Sequence, residues 1–121
     1  MKKVLIAEDD VISQKIIVKA VENLGHITFI SPHGKHAYEA LVANQKFDLL
    51  ITDIMMPYMN GIELVKVLKG DVQFKDMGII MVSSVVGVNE IHDLLDMGVN
   101  FFHPKPLKIN FLKKDIQSLL S

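Results

Sequence analysis

The feature that most constrains this chain is a repeated alternation of short apolar runs with segments of helical periodicity. Val4-Leu5-Ile6-Ala7 is continuous and apolar, as a strand covered on both faces should be, and Ile27-Thr28-Phe29-Ile30, Leu49-Leu50-Ile51-Thr52, Ile79-Ile80-Met81-Val82 and Phe101-Phe102-His103 read as four further strands. Between them lie helix-period stretches. The first runs from Val11 to Leu24, with Ile12, Ile16, Ile17, Ala20, Val21 and Leu24 inward and Gly25 as its stop. The second covers about 35–43, with Ala37, Ala40 and Leu41 inward, and the third follows the turn residues Pro57, Asn60 and Gly61 with Ile62, Leu64, Val65 and Leu68. Asn89 is the expected cap of a fourth helix ending near Gly98, and Asn110 to Leu120 forms an amphipathic fifth. A βα series of this kind predicts an α/β fold with a parallel sheet covered by helices on both faces. Ligands of such sheets bind beyond the carboxyl ends of the strands, where strand order reverses.

A length of 121 residues predicts one domain, spanning 1–121. The 13 basic residues are all lysines, and against 14 acids they leave a net charge of −1. That balance offers no electrostatic footprint for direct nucleic-acid binding, and without arginine there is no bidentate fork for bases or phosphates. The absence of cysteine removes disulfides, thiol nucleophiles and thiolate metal sites together. No apolar run approaches the roughly 18 residues of a membrane span. Acids at positions 8 to 10 interrupt any signal-peptide core, so the expected setting is cytoplasmic with no membrane contact.

The polar residues just after each strand carry the chemistry. The first strand ends in Glu8-Asp9-Asp10 and the third in Asp53. Taken singly, Asp10 or Asp9 reads as a helix cap and Asp53 as a turn former. If both strands are central, the carboxylates converge. Two like charges about 5 Å apart repel by roughly 3 kcal/mol at an effective dielectric of 20. Such a cluster takes up protons or holds a cation, and an all-oxygen donor set suits Mg²⁺ rather than zinc. The fourth strand ends in Ser83-Ser84, and the fifth is followed by His103-Pro104-Lys105-Pro106. A serine there is ordinarily a turn former and a lysine ordinarily a solvated surface group. Held between two prolines, however, Lys105 has little backbone freedom, and an ammonium beside carboxylates binds a phosphoryl group as a point charge. Acids after strands one and three, a hydroxyl after four and a lysine after five make a phosphoryl-handling set.

These runs (VLIAEDD, LLITDIMMPYMNGIEL, MVSS and FHPKPL) resemble the receiver domain of two-component response regulators over nearly the whole chain. The spacing agrees with that family: 44 positions from Asp9 to Asp53, 30 on to Ser83 and 22 on to Lys105. The resemblance implies a flavodoxin-like (βα)5 sandwich with strand order 2-1-3-4-5. It implies Asp53 as phosphoacceptor from a phosphohistidine of a sensor histidine kinase or histidine phosphotransfer protein. It further implies Mg²⁺ held by Asp9, Asp53 and the backbone carbonyl of Met55, with Glu8 assisting through water. Ser83 and Lys105 would bind the phosphoryl oxygens, and the Lys105–Pro106 bond would be cis. Ser83 and Phe102 would form a switch that remodels the face of the fourth helix, fifth strand and fifth helix for a downstream protein partner. The family often has tyrosine where Phe102 stands, and Phe102 as permanent core is the alternative. The chain is expected to be either a stand-alone regulator of the chemotaxis or sporulation-relay kind or the receiver portion of a longer protein. Ser13-Gln14-Lys15 and the PYMNG run also resemble receivers of hybrid histidine kinases.

An enzyme of a different class, a Mg²⁺-dependent phosphohydrolase working through an aspartyl phosphate, is the competing reading. It needs a proton donor two residues beyond the nucleophile, and Met55 stands there. The expectation is therefore a signalling module and not an enzyme. A nucleotide-binding domain is disfavoured because no glycine-rich turn follows the first strand. His33 and His36 are three apart but lack a third ligand nearby in sequence. The apolar run 84–88 reads either as partner-facing surface or as packing under the fourth helix. Met55 and Val85 lie where the family tunes the attacking water, and both are apolar. Slow loss of the phosphoryl group is the expected consequence. Met55→Asn combined with Val85→Glu should speed acyl-phosphate decay, measured by loss of the phosphorylated mass with time; equal or slower decay refutes it.

Overall fold

The computed structural model describes residues 1–43, 46–84 and 87–121. Its elements run β1 (Lys3–Ala7), α1 (Val11–Asn23), β2 (Ile27–Ser31), α2 (Gly34–Val42), β3 (Leu49–Asp53), α3 (Gly61–Lys69), β4 (Gly78–Ser83), α4 (Val88–Asp96), β5 (Phe101–Pro104) and α5 (Ile109–Leu120). The five strands form one parallel sheet in the order β2-β1-β3-β4-β5. This is the α/β, flavodoxin-like topology expected from the sequence. The chain moves outward from β1 to β2, then returns past β1 to build β3, β4 and β5. The order therefore reverses between β1 and β3, which pair directly from Val4↔Leu49 to Ala7↔Thr52.

Two cores follow from the period-two alternation of a strand. Leu5, Ala7, Leu50, Ile79 and Met81 point to one face, where Ala37 and Leu41 of α2, Leu64, Val65 and Leu68 of α3 and Leu94 of α4 cover them. Val4, Ile6, Leu49, Ile51, Ile80 and Val82 point to the other, under Ile17, Ala20 and Val21 of α1 and Leu112, Ile116 and Leu120 of α5. Continuous apolar runs are required here because β1, β3 and β4 have helices on both sides.

Helix ends show where local chemistry sets the phase. Asp10 caps α1, and its Oδ2 accepts both the backbone N–H (2.9 Å) and the hydroxyl (2.7 Å) of Ser13. That double bond to the cap turns Ser13 inward, in line with Ile17, Ala20 and Val21. Ile12, expected in the core, is rotated to solvent and is 71% exposed. A second correction concerns α4. Its cap is Gly87, not Asn89, because the Glu90 carboxylate reaches back to the Gly87 N–H at 3.1 Å and starts the helix earlier. Asn60 and Glu63 form a reciprocal capping box on α3. His33 caps α2, its Nδ1 accepting the His36 N–H at 3.1 Å, while His36 Nδ1 lies 2.7 Å from Ser31 Oγ. The two histidines thus serve the helix start. Ser84 and Val88 are exposed, and Val85 and Val86 of the same run lie outside the described residues.

Candidate functional site

The strand order puts the ends of β1 and β3 side by side, and two buried carboxylates result. Glu8 is fully buried one residue past β1, and Asp53 is buried as the last residue of β3. Asp9 is exposed at the mouth. A carboxylate oxygen from each of Glu8, Asp9 and Asp53 lies within 4.8 Å of the others. Lys105 closes the group from the loop after β5. Its Nζ is 2.8 Å from Glu8 Oε1 and 2.8 Å from Asp53 Oδ2. The remaining oxygens are held by backbone: Asp10 N–H donates to Glu8 Oε2 at 3.1 Å, and Met55 N–H donates to Asp53 Oδ1 at 3.2 Å.

Each position is fixed by its neighbours. The Lys105 N–H donates to the Ser83 carbonyl at 2.8 Å, tying the lysine loop to the end of β4, and the Lys105–Pro106 bond is cis. Ser83 is buried beside the strand that carries Asp53, since Asp53 pairs with Val82. Its Oγ has no hydrogen-bond partner. A buried hydroxyl without a partner carries a desolvation cost that no protein group offsets here. Phe102 is half-buried on β5 against the core shared by α3 and α4. Met55 is 74% exposed, beyond Asp53. The structure thus gathers Glu8, Asp9, Asp53 and Lys105, and sets Ser83 at the end of the neighbouring strand.

Three supports had little voice in the sequence. The Gln14 side-chain amide donates to the Glu8 carbonyl from the first turns of α1. A Cβ on Gly61 would sit 2.2 Å from the Asp53 carbonyl oxygen, so α3 can start against the end of β3 only with glycine there. A Cβ on Gly34 would likewise sit 2.1 Å from the Met59 carbonyl, and this close approach seats the loop after Asp53 on α2. Asn60-Gly61 was readable as a turn; the backbone it had to clear was not.

Electrostatics match this crowding. Burial pushes the Glu8 carboxyl up from 4.5 to about 7; the nearby Asp53 adds to the rise and Lys105 opposes it. Burial alone would depress the Lys105 ammonium, but its bonds to Asp53 and Glu8 outweigh that and raise it. The bond from Ser13 lowers Asp10, which therefore acts as a charged cap. A cavity of about 410 Å³ lies between α3 and α4, lined by Ile54, Met55, Ile62, Leu94 and Met97 among others. Lys66, Glu90 and Asp93 line it as well, whereas Glu8, Asp9, Asp53, Ser83 and Lys105 do not.

With the geometry in view, the class is clear: a parallel α/β signalling fold with an acidic pocket closed by a lysine. The chain belongs to the response regulator receiver domain family, which matches residues 4–117. A chemotaxis protein CheY homolog of Campylobacter jejuni is 36% identical over 119 residues, covering 98% of this chain and 92% of that protein. Chemotaxis protein CheY1 of Helicobacter pylori is also 36% identical, covering 98% of this chain and 96% of its own length. The receiver domain of the Francisella response regulator 1452 superimposes with a TM-score of 0.87 at 28% identity, covering 98% of this chain and 96% of that one. The chain is thus a CheY-like receiver domain of two-component signalling. Among the described residues, no helix is long and apolar enough to cross a membrane.

The raised Glu8 carboxyl makes a pH prediction with a definite sign. The folded state holds this proton more tightly than the unfolded chain, so the contribution is complete below about 4.5 and is lost as pH rises through about 7. In metal-free solution, Tm of the wild type should fall across that window relative to Glu8→Gln, which keeps the neutral form. Parallel Tm curves for the two proteins, measured by thermal melts across the window, would refute the assignment.

Proposed function

We propose that the chain accepts a phosphoryl group on Asp53 from a phosphohistidine of a sensor histidine kinase or phosphotransfer protein. A Mg²⁺ ion would be held by Glu8, Asp9, Asp53 and the Met55 carbonyl. The single observation that carries this reading is the Lys105 ammonium set between two buried carboxylates, with the partnerless Ser83 hydroxyl on the adjoining strand. An Asp53 oxygen attacks phosphorus, the new O–P bond forms as the N–P bond breaks, and the imidazole leaves with the electron pair. Such a transfer asks the protein mostly for positioning and charge neutralisation. Lys105 meets the phosphoryl oxygens with its positive charge, and the Ser83 O–H donates to one of them. The Asp10 and Met55 N–H groups keep the two carboxylates aimed.

The donor set fits the metal. All of its atoms are oxygen, three carboxylates lie within reach of one ion, and one lysine leaves them short of neutrality. When bound, the ion supplies further neutralisation of the phosphoryl charge. Exposed Val11, Ile12 and Met55 surround the Glu8 and Asp53 positions in the chain and suit contact with the donor protein. Met55 has no proton to give a leaving group, which sets the phosphohydrolase reading aside.

The downstream step is a shift of Ser83 toward the phosphoryl group with Phe102 turning into the vacated space. This alters the face of α4, β5 and α5 for a protein partner. Incubation with acetyl phosphate and Mg²⁺ should add one phosphate to the wild type by intact mass and none to Asp53→Asn. A gain that survives in the variant overturns the acceptor assignment. Structures determined with and without a phosphate mimic should show two Phe102 rotamers, and one rotamer in both would remove the switch.

A further inference from the structure

The strand that leads into Lys105 is weakly held by the sheet at its end. β5 is an edge strand, paired only with β4 from Ile80↔Phe101 to Ser83↔Pro104. Pro104 has no N–H, so the ladder lacks a donor one residue before the lysine. On the β4 side, the bond from the Lys105 N–H to the Ser83 carbonyl holds the loop. On the α5 side the anchor is His103, the one buried residue of β5. Its register opposite Val82 turns the imidazole to the face that Leu112 and Ile116 of α5 cover. There its Nε2 lies 2.7 Å from Asp115 Oδ2 on α5. A carboxylate only accepts, so the imidazole N–H donates.

Stability alone does not call for this pair. The face is otherwise apolar, and apolar side chains of similar volume would fill it about as well as a buried histidine and carboxylate. What the bond adds is direction. It fixes the ring, and with it the backbone two residues before Lys105. Pro104 and Pro106 restrict the rotations on either side of the lysine, so a displacement at His103 is passed on rather than absorbed.

We propose that Asp115, acting through His103, is a positioning residue for Lys105. The bond sets the point from which the lysine side chain reaches Glu8 and Asp53, each 2.8 Å from Nζ. A side chain of α5 thereby belongs to the frame of the carboxylate pocket. The effect on phosphoryl uptake rests on the Asp53 reading; the placing of Lys105 does not.

Acetic anhydride labelling followed by peptide mass reads the lysine directly, because its bridged side chain is only 14% exposed. Lys105 should label about fivefold faster in Asp115→Ala than in the wild type. Asp115→Asn, which keeps an oxygen for the imidazole N–H, should stay near the wild-type rate. Replacing both residues, His103→Leu with Asp115→Leu, separates positioning from support. That variant should keep the wild-type Tm, yet label as fast as Asp115→Ala. With acetyl phosphate and Mg²⁺, both fast-labelling variants should take up phosphate about tenfold more slowly. Should the double variant melt early, Asp115→Ala against Asp115→Asn decides, at a temperature where both are folded. Lys105 labelling at the wild-type rate in Asp115→Ala overturns the inference. So does a stable double variant that labels like the wild type. A wild type that takes up no phosphate removes the acceptor reading alone, and labelling still decides the role of Asp115.

Discussion

The Lys105 ammonium between Glu8 and Asp53 is the contact on which the rest depends. Two buried carboxylates at the ends of adjacent strands would repel each other by several kcal/mol in a medium less polarisable than water. The lysine removes part of that cost, and the loop that carries it is in turn bonded to the end of β4. The site is therefore built from three separate strand ends held in tension by charge. Its incomplete neutralisation is what the proposed cation would complete, and that cation would in turn offset the charge of the proposed phosphoryl group.

The sheet order explains why such a site can exist. Reversal between β1 and β3 leaves their carboxyl ends adjacent with no connection crossing over them. Both faces of these strands are packed, so the backbone beneath the carboxylates is rigid. Loops above then need only short reaches. Gly61 and Gly34 allow two of those reaches by letting backbone pass where a side chain would collide.

Much of this was legible in the chain itself. The five apolar runs marked the strands, and the polar residues after them identified Glu8, Asp9, Asp53, Ser83 and Lys105 as the group to watch. The expectation that Ile12 is core failed because helical periodicity defines a stripe but not its phase; the Asp10–Ser13 bonds rotated it by one position. The expectation that Asn89 caps α4 failed because a glycine two residues earlier gains a cap from Glu90. In both cases a short-range hydrogen bond outweighed a plausible propensity.

Sequence alone determined the alternation of elements, the two-sided burial of the central strands, and the order of the polar groups, because these rest on local periodicity and turn chemistry. Only the tertiary structure decided that one lysine bridges two carboxylates, that a serine hydroxyl is buried without a partner, and that β2 lies at the edge of the sheet. Those are relations between residues far apart in the chain. Their geometry comes from strand order and register, which no single segment encodes.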